Sequence, residues 1–215
     1  IGAYDGTVQP AMRYNTKSHD NVAVGSGALA THNLTDNSSG FNTAVGYAAG
    51  VAVTTGIKNT LLGARSGDAL IDADSNVAIG ESALSSDTYG DGSVAIGDSA
   101  LYAQNFTSAA TSFNTAVGYA AGNSTTTGQS NVFVGHSSGL YNSTGYANTF
   151  VGSAAGTGVT GAKLTGANNT AVGQDAGNDL QGAAQGNTFV GKSAGAANTV
   201  AGDNSAFGFE ALLTE

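Results

Sequence analysis

Cysteine and tryptophan are absent, proline and methionine occur once each, and only six residues are Lys or Arg. Without cysteine there are no disulfides, thiolate zinc sites or cysteine nucleophiles, so the chain is indifferent to redox compartment. Aromatic residues are 7% of the chain, too few for a conventional bulky core, so stability has to come from regular stacking or from partner chains. The six cationic residues stand against 15 Asp and Glu, for a net charge of -9, which repels phosphate backbones and excludes nucleic acid as an expected partner. All charged residues together reach only 10%. The polar surface is therefore a hydrogen-bonding coat of Asn, Ser, Thr, Gln and Gly, which suits a secreted or particle-borne protein. No apolar run approaches the roughly eighteen residues of a membrane helix, so no membrane insertion is expected. The first twenty residues also lack the basic-then-apolar pattern of a secretory leader.

Glycine is abundant, 33 of 215 residues, and its placement is periodic. A five-residue unit ending in Gly recurs eleven times between residues 21 and 208, with successive glycines 17, 18 or 21 residues apart. Residues 41–50 and 113–122 are the same string, FNTAVGYAAG, which marks a duplicated block. Searching for such repeats comes first, because the period fixes the architecture.

Each column of the unit has its own chemistry. The first is Asn21, Asn42, Asn59, Asn76, Asn114, Asn131, Asn148, Asn169, Asn187 and Asn204, with Ser93 the exception. The second is Val, Thr or Ser. The third is Ala in seven units, Leu61 in one, and Phe133, Phe150 and Phe189 in the rest. The fourth is always large and apolar, the fifth always Gly, and a small residue such as Ala49 or Ser66 follows three positions later.

The two-residue period of a strand puts columns two and four on one face and columns one, three and five on the other. The unbroken bulk of column four predicts that it points into a narrow interior, with the small residue after the Gly filling the other side. Column three then faces outward, as an Ala and Phe stripe of the kind other copies of the chain would cover. The Asn column is expected to form a ladder, each amide bonded to its copies above and below. The intervening 8, 9 or 12 residues read as returns. The predicted fold is all-β: a parallel β-solenoid, or β-roll, of about eleven coils over residues 21–212, associated as a homotrimer. Residues 1–20 are expected to be a connector to an upstream partner, and 213–215 a C-terminal end with no further domain.

The units at Asn76 (NVAIG) and Ser93 (SVAIG) resemble the head repeats of trimeric autotransporter adhesins. The longer form, NTAVGYAAG separated by tracts such as NSTTTGQSN, is similar to repeats of phage tail fibres, which often carry an endosialidase-type chaperone downstream. The resemblance covers residues 21–212 and implies a parallel β-roll, three chains about one axis, and attachment to a surface from a virion tail or a cell surface. The coil here is longer than in the autotransporter heads, which favours the fibre. The expected function is that of a non-enzymatic extracellular module binding a host-surface glycan or protein, with upstream fibre or tail components as further partners. An adhesin head, a structural filament subunit without a receptor and a polysaccharide-cleaving tail spike are the alternatives.

Variable loops on a repeat scaffold are where binding usually resides. The longest inserts are 30–41, 102–113 and 157–168. Tyr102, Phe106 and Tyr141 are the candidate sugar-stacking aromatics, with His32 and Asn105 as further loop candidates, although packing against neighbouring rungs is the simpler reading of the aromatics. Acidic residues gather between Asp68 and Asp98, and Asp87 and Asp91 are the weak Ca²⁺ candidates. Their spacing fits neither an EF-hand nor a nonapeptide calcium roll, so solvated surface carboxylates are the simpler reading. The same two residues are the first to mutate if the chain cleaves a glycan. No cofactor and no metal are assigned, since His19, His32 and His136 lie outside any ligand motif.

Overall fold

A computed structural model describes residues 10–14, 18–36 and 38–213. The described residues are all β, with no helix among them, and form a parallel β-solenoid of about eleven turns. The chain divides into two compact units, residues 1–112 and 113–215.

The first unit contains β1 (Val22–Val24), β2 (Thr43–Val45), β3 (Thr60–Leu62), β4 (Val77–Ile79), β5 (Gly90–Asp91), β6 (Val94–Ile96) and β7 (Ala110–Thr111). Strands β1, β2, β3, β4 and β6 pair in that order, all parallel, and β5 pairs with β7 beside them. The second unit contains β8 (Thr115–Val117), β9 (Val132–Val134), β10 (Thr149–Val151), β11 (Thr170–Val172), β12 (Thr188–Val190) and β13 (Ser205–Phe207), paired in sequence order and parallel. Every register sets a column on itself, as at Thr149↔Thr170 and Val151↔Val172. A strand of three residues is too short to be stable alone, so each rung depends on its neighbours.

The two faces of the sheet are the reverse of the expectation. Column three is inside: Ala44, Leu61, Ala78, Phe133, Phe150 and Phe189 are completely buried. Columns two and four look outward, half-buried in most rungs and exposed at Val22, Val24, Thr60, Leu62, Ser205 and Phe207. The small residue three positions after the Gly is inside as expected, with Ala28, Ala49, Ser66, Ala83, Ala100 and Ala121 all fully buried. The reason is space. The turn after each Gly passes directly beneath the strand, and the space between the two has room for one large side chain per rung.

That limit explains the mixture in column three. Coils with Ala23, Ala78 and Ala95 carry Leu29, Leu84 and Leu101 six residues later, and all three leucines are fully buried. Coils with Leu61, Phe133, Phe150 and Phe189 have Gly67, Gly139, Gly156 and Gly195 at that place. A Cβ on Gly139 would lie 2.5 Å from Cε1 of Phe133, so the two positions share one volume. Phe133 and Phe150 stack on each other inside the second unit, centroids 5.7 Å apart.

The Asn column, sharing the inner face, is buried and fully used. Asn59 N donates to Asn42 Oδ1 at 2.9 Å and Asn76 N to Asn59 Oδ1 at 3.0 Å, while each Nδ2 donates to a carbonyl of the return segment, as Asn59 does to Ala73 at 2.8 Å. In the first unit the ladder therefore runs from side chain to backbone. In the second unit Nδ2 also reaches the preceding amide oxygen, for example Asn169 to Asn148 at 3.0 Å. Buried amides need such partners.

The backbone path forces left-handed φ on residues that seldom adopt it. The residue two after the conserved Gly is left-handed in every coil, including Ala48 (φ 55), Arg65 (φ 55) and Ser82 (φ 54). The Gly itself has φ of 120 to 142, and a Cβ there would collide with the Gly of the next rung.

The coil register begins before residue 21. Met12 N donates to Ala28 O and Tyr14 N to Ala30 O, matching Leu29 N to Ala49 O one rung on, and Met12 has φ 50 where Leu29 has 46. Part of the expected connector is thus a partial turn of the solenoid; residues 1–9 and 15–17 lie outside the described residues, as do 214 and 215.

Candidate functional surface

The inserts fold back onto the rungs instead of standing free. In 102–113, β7 pairs with β5, and Phe106 is buried with its N–H on Asp87 Oδ1 at 2.9 Å, so its ring cannot stack on a sugar. Tyr102 is 44% exposed and Asn105 is exposed, accepting a hydrogen bond from Thr88 Oγ1 at 3.2 Å. Tyr141 is half-buried, its N–H and C=O tied to Thr157 and Leu164. His32, expected on an accessible loop, is completely buried in the core of the first coil. Of the expected loop residues, Tyr102 and Asn105 alone are freely presented.

Asp87 is likewise not a surface carboxylate. It is fully buried, with Oδ1 accepting from Gly90 N and Phe106 N and Oδ2 from Gln104 Nε2 at 2.6 Å. Gln104 also bonds Ser93 Oγ, which contacts Ser112 Oγ at 2.6 Å. This network replaces the amide missing from the ladder at Ser93. Asp91 Oδ1 accepts from Asp74 N at 2.7 Å, and Asp74 Oδ1 from Ile57 N at 2.8 Å, a short aspartate ladder along the return segments. Burial pushes the Asp74 carboxyl above its usual range; the Ile57 N–H opposes this, Asp91 and Asp72 add to it, and Lys58 opposes it. Among the described residues no three of His, Asp and Glu gather to hold a metal ion.

Ser39, His19 and Asp20 meet at the surface but are not arranged for nucleophilic catalysis. Ser39 Oγ and Asp20 Oδ2 both contact Nδ1 of His19, at 3.1 and 3.2 Å, whereas a triad needs serine and carboxylate on opposite ring nitrogens.

What the structure exposes most clearly is a row of aromatics that column reading missed. Phe41 and Tyr47 flank β2, and Phe113 and Tyr119 flank β8, each 57 to 59% exposed. Between them lie the half-buried Thr43 and Val45, or Thr115 and Val117. The outward row is therefore Phe, Thr, Val, Tyr in both units, written by the duplicated string. Tyr119 stacks on His136 one rung away, ring centroids 5.5 Å apart and 11° from parallel. The signal was the exact repetition of FNTAVGYAAG, whose Phe and Tyr flank the strand.

No protein-family model, curated protein or solved structure matches the chain.

Proposed function

We propose that the chain is a non-enzymatic module of an extracellular fibre, of the phage tail fibre kind, in which three copies associate and present exposed inserts to a host-surface glycan or protein. The observation that carries the reading is the outward face of the sheet, where column four is Val, Ile, Leu or Phe in every rung and column two alternates Val with Thr or Ser. A continuous apolar stripe of this kind on a chain with so little charge favours burial against other copies, and identical chains close most simply by rotation about one axis. Association would also triple each exposed group. Tyr102 and Asn105 would each occur three times, so weak single contacts add into firm attachment. Aromatic faces beside hydroxyl and amide groups match the amphipathic faces of sugars.

The test is a cell- or glycan-binding assay on the wild type and on Tyr102→Ala with Asn105→Ala. The reading expects reduced attachment by the variant with unchanged solution mass. Full attachment by the variant, or no attachment by the wild type to any cell surface, would remove it in favour of a purely structural subunit.

A further inference from the structure

The twelfth place of the coil is a core column, occupied by His32, Val53 and Leu70 on the first three rungs, Asp87 on the fourth and Gln104 on the fifth, all fully buried. An imidazole there puts a proton-binding group where the neighbouring rungs put aliphatic side chains.

The contacts of His32 fix its state. Nε2 lies 2.8 Å from Ser18 Oγ and 3.4 Å from Asn42 Nδ2. The Asn42 amide is locked, since Oδ1 accepts from Asn59 N and Nδ2 donates to Gly56 O, so the atom facing the imidazole is an N–H. Ser18 Oγ accepts from Asn21 Nδ2 at 2.8 Å, which turns its own proton toward His32. Both neighbours thus treat Nε2 as an acceptor, and the ring proton sits on Nδ1. Nδ1 is buried with no well-formed hydrogen bond. Gly40 packs against Nε2 so closely that even a Cβ there would collide with it.

We propose that His32 makes the first two coils a pH-sensitive element: a proton on Nε2 would oppose the Asn42 N–H, force the Ser18 hydroxyl to turn, and loosen this end of the first unit while the second unit stays closed. Burial holds His32 below its usual range, with the Thr54 backbone a lesser opposing influence. The titratable groups on the surrounding elements are Arg13, Tyr14, His19, Asp20, Asp36, Tyr47 and Lys58. None of them enters the causes of the His32 shift, and Lys17 lies outside the described residues. The folded pKa is depressed, so the stability from this site is complete above the unfolded value of 6.5 and is lost as pH falls below it.

The experiment is hydrogen exchange of the full chain at about pH 7.5 and about pH 5.5, corrected for intrinsic rates, beside His32→Val and His32→Gln. Val53 and Gln104 show that the column takes both side chains, so one variant serves if the other folds poorly. The wild type is expected to lose protection at Leu29, Asn33 and Gly40 at the lower pH while Phe133 and Phe150 keep theirs, and the variants are expected to hold protection at both. The His32 ring protons should titrate below the ordinary histidine value of 6.5. Unchanged wild-type protection, equal loss in the variants, or titration of His32 at or above 6.5 would each overturn the proposal.

Discussion

A carboxylate buried without a cation needs donors, and Asp87 has three: two backbone N–H groups and the Gln104 amide. Asp87→Ala would leave both N–H groups without their acceptor in the core and the Gln104 amide with Ser93 alone, and its cost is expected to be about 3 kcal/mol or more, read as a lower midpoint in urea. Asp74 predicts the opposite sign. Its folded pKa is raised above 3.8, so the native state is favoured by the protonated form, and this contribution is present below 3.8 and lost as pH rises through the folded value. Asp74→Asn keeps an oxygen for Ile57 N–H and should raise the melting temperature at neutral pH, with the gain shrinking near pH 4. At this scale the sequence was least legible. Tyr102 and Phe106 are four residues apart in one insert, yet one is exposed and the other fills the core beside Asp87, and no column pattern separates them because inserts lack a repeat. His32 was misplaced for a related reason: the twelfth column mixes His, Val, Leu, Asp, Gln, Thr and Asn, so its inward direction is visible only when the rungs are stacked.

Between neighbouring elements, the strand and the turn beneath it share one volume, and a double-mutant cycle measures that directly. Phe133→Ala should cost about 3 to 5 kcal/mol from the cavity it leaves. Gly139→Leu alone should be at least as damaging, since the added side chain meets the phenyl ring and Gly139 has φ 61. The pair together reproduces the Ala78 and Leu84 combination of β4 and its turn, and should recover most of the loss. Additive costs would contradict the shared interior. The parallel solenoid, its coil boundaries and the Asn ladder were all legible, because eleven copies repeat the same five-residue pattern. The face assignment was not. Invariant bulk in column four was read as core, whereas the informative signal was compensation: a large third residue never occurs with a large residue six places later. Only side chains that compete for one enclosed space need to trade volume in this way.

For the whole molecule, the inverted face changes the basis for association but not its direction. The Ala and Phe column that was expected to need a partner is satisfied inside each chain, and the stripe left in search of one is Val, Ile and Leu of column four with Val and Thr of column two. Val134→Lys with Val172→Lys places charge on that outer face. The double variant should keep its β-type circular dichroism while dissociating into single chains, because an interfacial lysine without a partner is costly to desolvate and an exposed one is not. Phe133→Lys, one residue from Val134 but on the inner face, should unfold the chain instead. The central claim is that copies of the chain cover this outer face, and the mass of the purified wild-type protein in solution, by light scattering, tests it most directly. The account predicts a stable species of three chains; a well-folded single chain at all accessible concentrations would contradict it.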